Sequence, residues 1–481
     1  DNGKPRVGRP MGGQYFTLME EFVFDIAEKT NIRNPYPIYS IKEFLNMREG
    51  NYYILMNDIE LPKDFTPITT NIGGFDGNNY NIKMTAGALE YNNTGNNQQF
   101  NFGLFETISE GALIANVRLY IEGEITIDLT SYPSINFGLI AANNYGTITN
   151  CAVVGSTYAH IIINVKDTVN SSDEPSHIVA GFVATNGSTG AISNSRVEVS
   201  ITSKGNIAGF VYSNSGTIAS SYVYGSIINN TVSTTSKTAG FVGINEYGGL
   251  IFTSYIAGDY VDNHQFSTTT SKVVYTAHRV GAFVYTNSGK ISNCYANIPV
   301  SSAASRASGF AYINEKSGEI EYSYSSCLMA SNRNSHTSFI GRSAEALLNR
   351  GTIKECFALE DAVLNISFRN DNEVKVEFAN SKLGSNDNIS GLTILRATFK
   401  EIYNDNNDQN QYYYYNDNGT KQKICQIGQT PRIYNNSDFV VWSNEKLADP
   451  ETFAKFALSN DSANTNGVWF FAKASTEQSY V

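Results

Sequence analysis

Short apolar runs that alternate with polar residues recur along the chain, each broken by an asparagine and a glycine. The clearest spans 208–227, AGFVYSNSGTIASSYVYGSI. A glycine leads an apolar pair, Gly209-Phe210-Val211. Asn214 and Gly216 follow, then Ile218, the small Ser221 and the aromatic Tyr222. The alternation marks strands buried on one face, and Asn-x-Gly supplies a turn with positive φ at little steric cost. The pattern therefore predicts two short β-runs per unit, near 209–212 and 217–224.

The same register returns at Gly138-Leu139-Ile140, Gly181-Phe182-Val183, Gly240-Phe241-Val242, Gly281 with Phe283-Val284, and Gly309-Phe310. Degenerate units flank these at Gly103-Leu104-Phe105 and Phe339-Ile340. One unit cannot bury its apolar face alone, so the units must stack, each covering the next. Strands of successive turns then pair about 4.8 Å apart, giving an all-β fold, a right-handed parallel β-helix of about eight to ten turns and roughly 40–50 Å. Stacking brings Asn186, Asn214, Asn245, Asn287 and Asn314 into one column, where an amide ladder is expected at a corner.

Three regions follow from where this pattern holds: an N-terminal segment and capping helix at 1–50, the β-helix at 51–360, and a β-rich, mixed C-terminal segment at 361–481. Phe16, Leu18, Phe22 and Ile26 fall at roughly helical spacing, which predicts a short amphipathic helix within 11–30. A second helix over Ile41-Lys42-Glu43-Phe44-Leu45 is expected to cover the open edge of the solenoid. Beyond 360 the repeat fades into alternating runs at 362–368 and 373–378. An Asn/Asp-rich stretch with four consecutive tyrosines, Tyr412 to Tyr415, comes next, and a closing helix is expected from about Pro450.

Composition adds a location. Only 16 % of the 481 residues are charged, while Asn, Ser, Thr, Tyr and Gly abound, so hydroxyls and amides must solvate the surface as in an extracellular protein. A formal charge of -11 without any basic run argues against nucleic acid and anionic membranes, both of which reward clustered Lys and Arg. No run of 18 apolar residues occurs, so no membrane insertion is expected. A first residue of Asp1 rather than Met fits a processed secreted chain.

The pattern G-[FL]-[VI]-x-x-N-x-G-x-I-x-[NS]-[SC]-[YA], which covers about 101–359, resembles the GLUG motif of large bacterial surface proteins. These include adhesins and the N-terminal regions of IgA1-type zinc endopeptidases. The resemblance implies a β-helix and a cell-surface location, and it implies no single activity.

Candidate chemistry is sparse. Cys151, Cys294 and Cys356 share one repeat position, so any two stand at least two turns, roughly 9.6 Å, apart, beyond the reach of a disulfide. They are expected to be free core thiols, and Cys327 and Cys425 lack an obvious partner. There is no His-Glu-x-x-His, so the peptidase module of the resembling endopeptidases is missing, and no Gly-x-Ser-x-Gly or P-loop occurs. No CxxC occurs either, and neither metal nor cofactor is expected. Outward acids such as Glu246, Glu315 and Glu319 do not recur at one position, against a polysaccharide-cleaving groove.

Binding has two candidate places. Tyr222, Tyr255, Tyr295 and Tyr324 follow the small core residue, while Tyr212, Tyr285 and Tyr312 follow the Gly-Phe strand. Stacked turns convert both sets into stripes, and exposed aromatic stripes suit sugar faces or a flat protein partner. Two long connections, 156–178 with His160 and His177, and 259–280 with His264 and His278, are the other. The expected function is that of a non-enzymatic extracellular surface protein. It would be an adhesin for a host or matrix glycan or protein, or a self-assembling layer or filament subunit. A polysaccharide-binding or polysaccharide-cleaving β-helix is the alternative.

Overall fold

The computed structural model describes residues between 31 and 423, with breaks of which the longest is 259–273. One turn of the coil shows how the rest is built. Val211–Asn214 lies in sheet 1, Thr217–Ala219 in sheet 2, Tyr222–Tyr224 in sheet 3, Ile227–Asn229 in sheet 4 and Thr238–Ala239 in sheet 5. Val242–Asn245 then returns to sheet 1, in parallel register with Val211–Asn214. Every face repeats this parallel pairing from turn to turn, as at Thr217↔Leu250, Tyr222↔Tyr255 and Ile227↔Val274. The fold is a parallel β-helix.

The turn holds more strands than the two runs that alternation predicts. The run at 217–224 is cut in two by Ser220, whose φ is 48°. Asn116, Asn150, Asn194, Thr253, Asn293, Tyr322 and Glu355 take the same left-handed conformation in their own turns. A chain that must swing from one face to the next within a single residue uses this conformation, and asparagine tolerates it best among the non-glycine residues. The amides at this corner also join one another: Asn150 Nδ2 donates to Asn116 Oδ1 at 2.7 Å, and Asn116 Nδ2 donates to Asp76 Oδ1 at 2.9 Å.

Like residues stack on like inside. Phe182, Phe210, Phe241, Phe283, Phe310 and Phe339 form a continuous pile, with ring centroids 4.6–4.9 Å apart and nearly parallel planes. Ile148, Ile192, Ile218, Ile251, Ile291 and Ile320 form a second buried column on sheet 2. The pile spacing is the strand spacing, so each ring covers the face of the next and no filler is needed.

Parallel pairing is already present between Tyr36–Ile38 and Tyr52–Leu55, and it is still present where Cys356–Leu359 meets Leu392–Leu395. Eleven strands in sheet 2 correspond to an axial length of about 48 Å. Near the first turn a one-turn helix, Ile41–Leu45, is started by a capping box of Ser40 and Glu43. It carries Phe44 into the core, against Phe75 at 5.4 Å and Phe105 at 6.3 Å. At the far end Ala362–Asn370 still meets Met329–Ala330 in parallel at Val363, and on its other edge it pairs antiparallel with Glu373–Asn380. Glu401–Asp405, Tyr412–Tyr415 and Lys421–Lys423 extend sheet 4 in the same antiparallel manner. The helices expected within 11–30 and from Pro450 lie outside the described residues. Among the described residues no helix is long and apolar enough to cross a membrane.

Candidate functional site

The tyrosines correct the expectation of exposed stripes. Tyr212, Tyr255, Tyr285, Tyr295, Tyr312 and Tyr324 are each no more than 4 % exposed, and Tyr222 is half-buried. Two arrangements account for this. Tyr222, Tyr255, Tyr295 and Tyr324 stack on sheet 3 with centroids 4.5–4.9 Å apart, so each inner ring has both faces covered. Tyr212, Tyr285 and Tyr312 pack at the bend between sheets 5 and 1 over a column of small residues, Ala180, Ala208 and Ala239. Tyr212 leans over Gly243 and Tyr312 over Gly341, the glycines at the same position one turn on. Burial pushes the Tyr212, Tyr285 and Tyr255 phenols upward. Tyr222 still reaches an outer partner, donating to Glu198 Oε1 at 2.6 Å.

The asparagines form a second internal structure. Asn144, Asn186, Asn214, Asn245 and Asn287 each donate Nδ2 to Oδ1 of the next, over 2.7–2.9 Å, and Asn287 donates to Asn314 in the same way. Asn314 passes the chain on to Asn349 at 2.8 Å. All of them from Asn144 to Asn314 are fully buried, and each satisfies its neighbour's acceptor. Asparagine is suited to this because its side chain offers a donor and an acceptor on opposite edges of one planar group.

A third ladder escapes the sequence reading, which marks its members only as small. The backbone amides of Cys151, Ser195, Ser221 and Cys294 donate to the Oγ of Ser195, Ser221, Ser254 and Ser323 in the next turn, at 3.1–3.2 Å. The Ser195 and Ser221 hydroxyls then donate back to carbonyls two residues upstream. Cys151, Cys294 and Cys356 stand in the serine position of their own turns, and with Cys327 they are free and buried. Burial pushes all four thiols up to about 12, from an ordinary value near 9.0. The folded state thus holds these protons more tightly than the unfolded chain does. The stability this contributes is complete below pH 9 and is lost as pH rises towards 12. In a Cys425→Ser variant, a thiol reagent at pH 8 is expected to label none of the four until guanidinium unfolds the chain. Rapid labelling of the folded protein would contradict that burial.

The two long connections are less alike than their sequences suggest. Part of 156–178 belongs to the coil, because His160–Asn164 is a regular strand of sheet 4 between Glu124–Asp128 and Ser200–Ser203. His160 Nε2 lies 2.8 Å from Thr202 Oγ1, and Nδ1 lies 3.4 Å from Glu124 Oε2. Asp167 and Asp173 are tied to a later turn: Thr231 Oγ1 donates to Asp167 Oδ1 at 2.7 Å, and Ser233 Oγ donates to the Asp173 carbonyl at 2.7 Å. Lys237 pairs with Glu174. His177 is buried in this clamp, and desolvation lowers its pKa. His264 and His278 lie outside the described residues. Among the described residues no three His, Cys, Asp or Glu side chains converge as a metal-binding set.

An open groove lies on the outside, on sheet 3 before the tyrosine stack begins. It encloses roughly 430 Å³ and is lined by Asn79, Asn81, Lys83, Arg118, Tyr120 and Glu122. At its edge Asp58 accepts from the Asn81 backbone amide at 2.8 Å and meets Lys83 Nζ at 2.9 Å. These contacts, the Asn81 amide above all, hold its carboxyl at about 2. Nothing in the repeat pattern signals this groove, because its residues belong to the irregular first turns.

No family model matches the chain, and no curated protein matches it. Among solved structures it is similar to one described as IgA1 Protease, at 12 % identity and a TM-score of 0.35. The alignment covers 69 % of this chain and only 22 % of that one. A likeness this distant adds nothing to the parallel β-helix that the strand pairing itself establishes.

Proposed function

We propose that the chain is a non-enzymatic extracellular surface protein, a β-helical rod that adheres to glycan or protein on a host or matrix surface. The observation that supports this reading is the inward use of four recurring columns. Phenylalanine, isoleucine, asparagine and serine or cysteine columns hold turn to turn. What differs between turns therefore faces outward on a rigid frame, as a display scaffold requires. A chain rich in hydroxyls and amides, with only 16 % of its residues charged, suits exposure outside a cell, and the GLUG resemblance points the same way. The purified chain is expected to be retained on matrix proteins or host cells while remaining monomeric by light scattering. Polymers without retention would replace adhesion by self-assembly, and release of reducing ends from a polysaccharide would overturn the non-enzymatic reading.

A further inference from the structure

We infer that the groove on the outer face of sheet 3 binds a carboxylate-bearing sugar, with Arg118 taking the carboxylate and Tyr120 the ring. This rests on the adhesive reading and gives it a ligand class and a place. Two successive turns build the groove in strict register, Asn81 beside Arg118 and Lys83 beside Tyr120. The two cations differ in what surrounds them. Lys83 is held by Asp58. Arg118 has Asn81 on one side of its column and Ala152 on the other, neither of them acidic. It makes no ion pair with any described residue. Arg196, which follows Ala152 in that column, is by contrast paired with Glu198 at 3.3 Å.

Asn81 completes the asymmetry. Its Nδ2 donates to Asp58 Oδ2 at 3.1 Å, which ties the Asn81 side chain to the same carboxylate that holds Lys83, while its Oδ1 is buried. The groove thus offers a forked cation that no described carboxylate neutralises. The half-buried ring of Tyr120 stands between Arg118 and the exposed carboxylate of Glu122. A guanidinium fork matches a planar carboxylate through two parallel hydrogen bonds. Sugar hydroxyls donate well to a carboxylate such as that of Glu122, and the apolar face of a pyranose packs on an aromatic ring. A neutral sugar would leave Arg118 without its counter-ion, and a simple carboxylate would leave Tyr120 and Glu122 unused. The volume falls within the range of small-ligand sites, and the open shape admits either a terminal acidic residue or one within a polymer.

Calorimetry on the full chain tests this with three probes: a hyaluronan hexasaccharide for an internal uronate, 3′-sialyllactose for a terminal sialate, and neutral lactose. At least one acidic probe is expected to bind and lactose is not; which acidic probe binds identifies the source of the carboxylate. Arg118→Gln and Tyr120→Ala are each expected to weaken binding by about tenfold or more, with Arg118→Lys between them and the wild type. Both positions face outward, so thermal unfolding should be unchanged. Arg350→Gln, which removes a guanidinium paired with Glu315 on another part of the rod, should bind as the wild type does. Failure of both acidic probes, or full binding by Arg118→Gln, would overturn the inference. If matrix or cell retention persists while both acidic probes fail, the groove assignment falls and the adhesive reading stands. If a probe binds at Arg118 while no surface retains the chain, the adhesive reading falls and the groove assignment stands.

Discussion

Asn245→Leu is expected to destabilise the rod by about 4 kcal/mol, measured as a fall in the guanidinium midpoint followed by far-ultraviolet circular dichroism. Asn245 accepts from Asn214 Nδ2 and donates to Asn287 Oδ1. Leucine has similar volume but neither group, so a buried donor and a buried acceptor are orphaned together, at about 1–3 kcal/mol each. Asn349 makes the contrast. It closes the ladder by accepting from Asn314 and is only half-buried. Asn349→Ala is therefore expected to cost about 1 kcal/mol, because water can replace it. Equal effects at the two positions would show that the ladder contributes through packing rather than through satisfied amides.

Gly209→Ala is expected to be worse still, above about 4 kcal/mol or a failure to fold. The reason is close approach and not backbone conformation. A Cβ at Gly209 would meet the Gly240 carbonyl oxygen of the next turn at well under 3.0 Å. That oxygen belongs to backbone held in the coil and has nowhere to retreat. Gly181 stands in the same relation to the Gly209 carbonyl, and Gly309 to that of Ser338. Gly248 is the control: its φ is +86° but open space surrounds it, so Gly248→Ala should cost only the left-handed strain, about 1–2 kcal/mol. Thermal unfolding of the two variants separates the mechanisms, and a tolerated Gly209→Ala would refute the clash.

Stacking explains why so much of the coil is legible in the chain. A side chain at a given corner meets its own equivalent above and below, so Phe210, Asn214 and Ile218 must recur and are readable as a period. The same logic limits the reading. Parity places Tyr295 and Tyr212 on the outside correctly, yet it cannot show that stacking at the strand spacing and a column of alanines withdraw them from water. Sheets 4 and 5 are hard to read because their connections differ in length from turn to turn. His160–Asn164 looks like an insertion until its register with Glu124–Asp128 is seen. The left-handed corner is visible where asparagine fills it, at Asn150 or Asn293, and hidden at Thr253 and Glu355. The groove is least legible of all. Asn81, Arg118 and Ala152 occupy one column but share no chemistry, so periodicity passes over the place where the surface is most individual.

The spacing of the ladder asparagines gives the rod a mechanical character. Successive steps from Asn144 span 42, 28, 31, 42, 27 and 35 residues. Axial load on such a coil passes through its turns in series. A tether at one end that peeled them away would draw out unequal lengths of chain, between roughly 90 and 150 Å per turn when extended. Each yielded turn would absorb work while those behind it kept their amides joined, so the rod would lengthen under shear by instalments before it let go.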